Sequence, residues 1–274
     1  MFVLLAALSG AVLRAAAQQP GATAVPVANG EDSIARWTLQ GLLGPGPKRV
    51  TEDFPLSDQR NLGAWRKYEP MSDEFKGGTL DTNKWVLGIS GWLGRQPAWF
   101  NPANVTVGDG QLRLTMDKET VPKELEKQGY HDYGSAALHS RVRSSYGYYE
   151  IEARPMHSAG SSSFWFTNED PEENPGWGTE IDVFELCGLN PQHDRRLYMT
   201  LHVWRTPEER RHWQLGANWE APAPFAEAFH VFGFDHCQHG AKNFFLSQIA
   251  LRVHIGKNCR RYIVAVAGNL TEKN

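Results

Sequence analysis

From Met71 onward the chain is built of short runs in which apolar and polar residues alternate, broken by Gly, Pro and Asn, and this pattern constrains the fold most. A period of two puts alternate side chains on opposite faces, so each run predicts a half-buried strand and together they predict an all-β sandwich. Tyr198, Met199, Thr200, Leu201, His202, Val203 and Trp204 make one such run, with the even-numbered residues sharing a face. The 274 residues suit one large β domain with no internal repeat. Residues 18–67, rich in Gly, Pro and Ala, read as an N-terminal extension or linker.

One run carries three acids. In Glu180, Ile181, Asp182, Val183, Phe184, Glu185, the first two acids are two positions apart and project together, while Ile181 and Val183 face the opposite layer. Glu185 is five positions from Glu180, an odd spacing that a regular strand would send to the wrong face. A β-bulge near Val183 or Phe184 would bring it back, and is therefore predicted. The bulged path would leave the two glutamates roughly 5 to 7 Å apart, close to the separation of about 5 to 5.5 Å in glycosidases that retain anomeric configuration. Like charges packed this closely favour protonation of one member, which assigns a raised pKa to Glu185 as general acid and leaves Glu180 as ionised nucleophile. A solvated edge strand or a Ca²⁺ loop would interleave the acids with Ser, Gly and Asn; here the interleaved residues are Ile, Val and Phe.

Net charge of −3 and a pI near 6.4 give no reason to expect nucleic-acid or anionic-membrane binding. Phe2 to Leu13, followed by Ala15, Ala16 and Ala17, has the layout of a cleaved secretory signal over residues 1–17 and is too short to span a bilayer comfortably. Cys187, Cys237 and Cys259 allow one internal disulfide at most, with the pairing open. Asn104-Val105-Thr106 and Asn269-Leu270-Thr271 are glycosylation sequons. Arg195, Arg196, Arg205, Arg210 and Arg211 could meet sulfate groups, although Glu208 and Glu209 among them favour a solvated face. Ten Trp and eight Tyr supply rings that either stack on sugars or fill the core.

The acid motif resembles the active-site strand of glycoside hydrolase family 16, and more of the chain agrees. Ser72–Phe75 and Leu80–Trp85 resemble that family's opening strand and turn; Trp92, Gly94, Arg95 and Pro97, then Asn104–Val107 and Gly110–Leu114, follow in order, and Tyr146–Ala153 with Ser163, Phe164 and Trp165 match the strands before the catalytic one. The detail is most similar to the agarase, porphyranase and carrageenase branch acting on red-algal galactans, and β-1,3-glucanases share the bulged motif. The resemblance implies a jelly-roll β-sandwich with a concave substrate-binding sheet. It implies a secreted, endo-acting, retaining hydrolase of polysaccharide β-linkages, monomeric and needing no metal or cofactor. Glu180 would be nucleophile, Glu185 acid/base and Asp182 the support of Glu180. Trp92, Arg95, Trp99, Trp165, His202 and Trp204 would bind substrate, with Trp165 as the platform beside the cleaved bond.

The resemblance covers residues 68–235 and stops at Asp235, where members of the family continue with further strands. The 39 residues 236–274 have no match and are too few to supply those strands with loops of normal length. An incomplete sandwich with open edges is therefore expected. A carbohydrate-binding relative without turnover, or a chain that does not fold stably, are the competing readings; three retained acids argue against the first.

Overall fold

A computed structural model describes residues 2–8, 34–39, 47–144, 147–168, 178–188, 193–204, 212–237, 240–245 and 262–270; for 2–8, 34–39, 204, 213, 237, 240–245 and 262–270 the description is of backbone pairing. Seventeen strands run in chain order: β1 (Phe2–Leu8), β2 (Ile34–Leu39), β3 (Arg66–Lys67), β4 (Trp85–Leu87), β5 (Ala98–Phe100), β6 (Val105–Gly108), β7 (Gln111–Leu114), β8 (Asp117–Lys118), β9 (Tyr133–Ser140), β10 (Gly147–Arg154), β11 (Gly160–Thr167), β12 (Gly178–Cys187), β13 (Arg196–Trp204), β14 (Trp213–Glu220), β15 (His230–Cys237), β16 (Gly240–Phe245) and β17 (Tyr262–Leu270). The helix α1 (Lys123–Glu126) has a single turn. Among the described residues no helix is long and apolar enough to cross a membrane.

The strands form two sheets. The first has the order β2-β14-β13-β12-β11-β1-β9-β4, with β5 and β8 also paired to β9; the second has the order β16-β15-β10-β17-β7-β6, with β3 on β17. Alternation explains how they close on each other. Leu138, Phe164, Phe184, Leu197, Met199 and Trp219 of the first sheet share one core with Leu112, Leu114, Tyr149, Ile151, Phe232 and Phe234 of the second. Across it Phe184 packs on Phe232, 4.2 Å between centroids. What alternates away from that core on β11, β12 and β13 forms the outer face of the first sheet.

Residues 47–67 belong to the sandwich and do not trail from it. Leu56 and Trp65 bury themselves against Tyr148 and Val231 on the outer side of the second sheet. The Glu150 carboxylate holds this segment down, accepting from Arg49, from the Leu56 N–H at 2.9 Å and from the Tyr148 hydroxyl at 3.1 Å. Burial pushes the Glu150 carboxyl up in pKa, with Arg49 pulling it back.

Both ends of the chain pair into the sheets. Phe2–Leu8, expected in a cleaved signal, pairs antiparallel with β11 on one side and β9 on the other. Tyr262–Leu270, in the divergent stretch after Asp235, runs parallel between β10 and β7, and Gly240–Phe245 extends β15 as a hairpin. The physical reason is common to both. Strands with unpaired N–H and C=O rows accept any apolar run of strand length that reaches them. At the first sequon the Asn104 Nδ2 is buried without a hydrogen-bond partner, so the atom a glycan would use is shut from solvent in the folded chain. Asn269 lies outside the described side chains. Cys187 is a thiol, not half of a disulfide; the Cys237 side chain and Cys259 lie outside the description.

Candidate active site

The predicted bulge is present in β12. Asp182 pairs with Thr200 and Glu185 with Tyr198, so Val183 and Phe184 together oppose one residue of β13. On the other side the register shifts between Phe164, opposite Phe184, and Trp165, opposite Asp182. Consecutive residues at a bulge can turn to the same side. Val183 and Phe184 do so, at 2% and 0% exposure in the core, which restores Glu185 to the face of Glu180 and Asp182.

That face is the outer one, and His202 lies on it. Glu180 is directly opposite His202, and Asp182 Oδ2 stands 3.1 Å from His202 Nε2. Donor atoms of Glu180, Asp182 and His202 all fall within 4.8 Å of one another. A buried group of this kind must retain protons or bind a cation. Burial, then the charge of Glu185, hold the Asp182 carboxyl well above the usual carboxylate range. Burial also pushes Glu185 up, while His202 and Arg95 pull it part of the way back. Burial lowers the His202 pKa against the pull of Glu180 and Glu185. The direction at Glu185 is the one expected from spacing, but its cause is burial and not a like charge; the still stronger displacement of Asp182 needed the tertiary structure, because Asp182 is 3% exposed.

Rings flank the acids. Trp165 lies directly across from Asp182, and its centroid is 6.4 Å from that of Trp92, which in turn meets Phe100 edge-on at 5.1 Å. Arg95 is exposed on the loop after Trp92. Gly94 shapes that loop: its φ is +123°, and a Cβ there would come 2.6 Å from the Ala98 carbonyl oxygen. The Tyr130 hydroxyl closes on the Gly94 carbonyl at 3.1 Å, and the Phe100 N–H on Leu93 at 2.8 Å. The loop is thereby tied to its own base, with Arg95 within electrostatic reach of Glu185.

Trp99 is not brought to this group. Ala98 and Phe100 are buried and Trp99 alternates to the other face of β5, where its indole N–H donates to Glu119 at 2.7 Å and Asn101 donates to the same carboxylate. A Trp between Pro-rich turns is as well placed to pin a loop as to bind sugar, which is why sequence could not separate the two. Arg195 and Arg196 both reach Glu220, at 3.4 and 3.2 Å, on an exposed strand end. The Trp204 side chain, the loop 169–177, Arg205, Arg210 and Arg211 lie outside the described residues.

Two residues of the outer face were given no role in the sequence reading. Tyr198, directly across from Glu185, shares a hydrogen bond with His193 Nδ1. His212 Nε2 lies 3.0 Å from His202 Nδ1. The signal for His212 was the hairpin register: His202 pairs with Gln214, and the position two earlier is the diagonal neighbour on the same face.

Comparison with known proteins agrees with this geometry. Residues 65–256 match the family described as Beta-porphyranase A-D, GH16 domain. The chain is 35% identical over 127 residues to Beta-porphyranase B of Zobellia galactanivorans, covering 45% of this chain and 43% of that protein. It is 32% identical over 177 residues to Beta-porphyranase E of the same organism, covering 62% of each. The crystal structure of porphyranase B from Zobellia galactanivorans superposes with a TM-score of 0.59 at 28% identity, over 68% of this chain and 74% of that one. The chain thus spans about half the length of the curated relatives it matches.

Proposed function

This chain belongs to glycoside hydrolase family 16, in its porphyranase-type branch, and we infer that it is a secreted, endo-acting, retaining hydrolase of a red-algal galactan, porphyran first. One observation carries the reading: the bulge gathers Glu180, Asp182 and Glu185 on one face, with Glu185 raised in pKa. Glu180 attacks the anomeric carbon as the glycosidic C–O bond breaks, and Glu185 gives its proton to the leaving oxygen. In the second step the Glu185 carboxylate takes a proton from water, the water oxygen bonds to the anomeric carbon, and Glu180 departs with net retention. Asp182 supports Glu180 from two positions along the strand, with its Oδ2 3.1 Å from His202 Nε2. Trp165 and Trp92 offer apolar faces to the sugar ring. The exposed Arg95 guanidinium is suited to a sulfate or hydroxyls beside the leaving group.

Porphyran is placed first because the relatives quoted are β-porphyranases. Export is part of the reading, since a polymer does not enter a cell and Phe2–Leu13 has the layout of a leader.

The test is reducing-sugar release by the purified chain on porphyran, agarose, κ-carrageenan and laminarin. Release from porphyran should fall by about 10² to 10⁴ in Glu180→Gln and in Glu185→Gln. Cleavage of laminarin alone would make it a β-1,3-glucanase. No release from folded protein, or near-full activity in either variant, would overturn the catalytic reading in favour of a binding-only relative.

A further inference from the structure

His202 and His212 are joined edge to edge. Their nearest nitrogens are 3.0 Å apart, the ring centroids are 5.3 Å apart and the planes differ by 24°, so the imidazoles are nearly coplanar, with the lone pair of one on the N–H of the other. His202 thus has both nitrogens engaged, Nε2 with Asp182 and Nδ1 with His212. A neutral imidazole has one N–H and one lone pair, so the contact at one nitrogen decides the role of the other.

The groups facing His202 set the direction of this chain of contacts. β12 presents Glu180 directly opposite, with Asp182 and Glu185 beside it; the other side presents His212 and Gln214. A proton on Asp182, which burial and then the charge of Glu185 favour, would be donated to Nε2, 3.1 Å away. Nδ1 must then carry the His202 proton, and needs an acceptor.

We propose that His212 is a positioning residue for the acid group: its Nε2 accepts the Nδ1 proton of His202, which turns the His202 Nε2 lone pair onto Asp182 and lets the two share one proton. When negative charge on Glu180 is lost to the glycosyl bond, that proton can shift along the 3.1 Å contact without any group leaving its place. The proton moves between Asp182 and His202 and none is consumed. His212 itself touches neither substrate nor the reacting atoms.

The proposal rests on the glycosidase reading for its consequence but not for its geometry, and the test separates the two. In the full chain, ¹⁵N-resolved NMR of the His202 ring should show a single tautomer with the proton on Nδ1. His212→Ala should release it into a mixture, and His212→Gln, whose amide oxygen can accept, should restore it. On substrate, His212→Ala should lower kcat by about tenfold with little change in KM and reshape the pH profile, with His212→Gln recovering most of the loss. An unchanged tautomer in His212→Ala overturns the proposal whether or not any substrate is cleaved. So does a wild-type kcat and pH profile in that variant. Absence of hydrolysis by the unmutated chain bears on the glycosidase reading alone, and the ring spectra then decide this one.

Discussion

Burial raises the Glu185 pKa by taking water from around its carboxyl, and His202 when protonated, then Arg95, oppose that effect. The sign of the pH dependence follows. In the proposed mechanism the protonated acid is the competent form, so kcat/KM should fall as pH rises through the raised Glu185 pKa. Removing Arg95 takes away a charge that stabilises the carboxylate, so Arg95→Ala should move the alkaline limb to higher pH. A profile of kcat/KM against pH checks this, and a limb that stays put or moves down would exclude Arg95 as a neighbour of the acid. The same displacement bears on stability. Asp182 and Glu185 have folded pKa values above their unfolded ones, so their contribution is fully present below the unfolded pKa and is lost as pH rises through the folded pKa.

The decisive element is β12, whose chemistry depends on parity. Val183 is the residue by which the strand exceeds a regular ladder on both sides: without it, Phe184 would stand opposite Phe164 and Met199, with Asp182 and Glu185 each two positions from a same-face neighbour. Deleting Val183 should therefore leave a folded chain with all three acids outward, less stable by about 1.5–3 kcal/mol for the buried side chain lost. Deleting Ile181 should do far more harm, because it turns Glu180 toward the core. Thermal melts of the two deletions compare them directly, and equal behaviour would mean that parity does not govern this strand. The bulge was legible in sequence because three acids at spacings of two and three cannot share a face otherwise. His212 was not, since nothing local says that a histidine ten positions along will meet His202.

At the scale of the molecule, the two sheets are completed by segments from the ends of the chain. β1 lies between β11 and β9, one residue pairing Val3 with both Trp165 and His139, so the strand under the candidate sugar platform is supported by residues 2–8. Export by cleavage after Ala17 would remove that strand, and the two uses of the segment exclude each other in one molecule. A chain beginning at Gln18 should melt lower than the full chain and associate through the opened edges, as measured by thermal unfolding and gel filtration. Equal melting would show that β1 adds nothing to the sandwich. Sequence alone determined what depends on local period and spacing: strands in place of helices, the bulge, the face shared by Glu180, Asp182 and Glu185, and the even-numbered face of β13. Only the tertiary structure decided which of those faces is outward, that Trp99 turns to Glu119, that Asp182 is displaced in pKa further than Glu185, and that chain ends occupy sheet interiors. The division has a physical cause, because side-chain direction along a strand is a property of neighbouring residues, whereas burial, charge proximity and strand partnership arise between residues far apart in the chain.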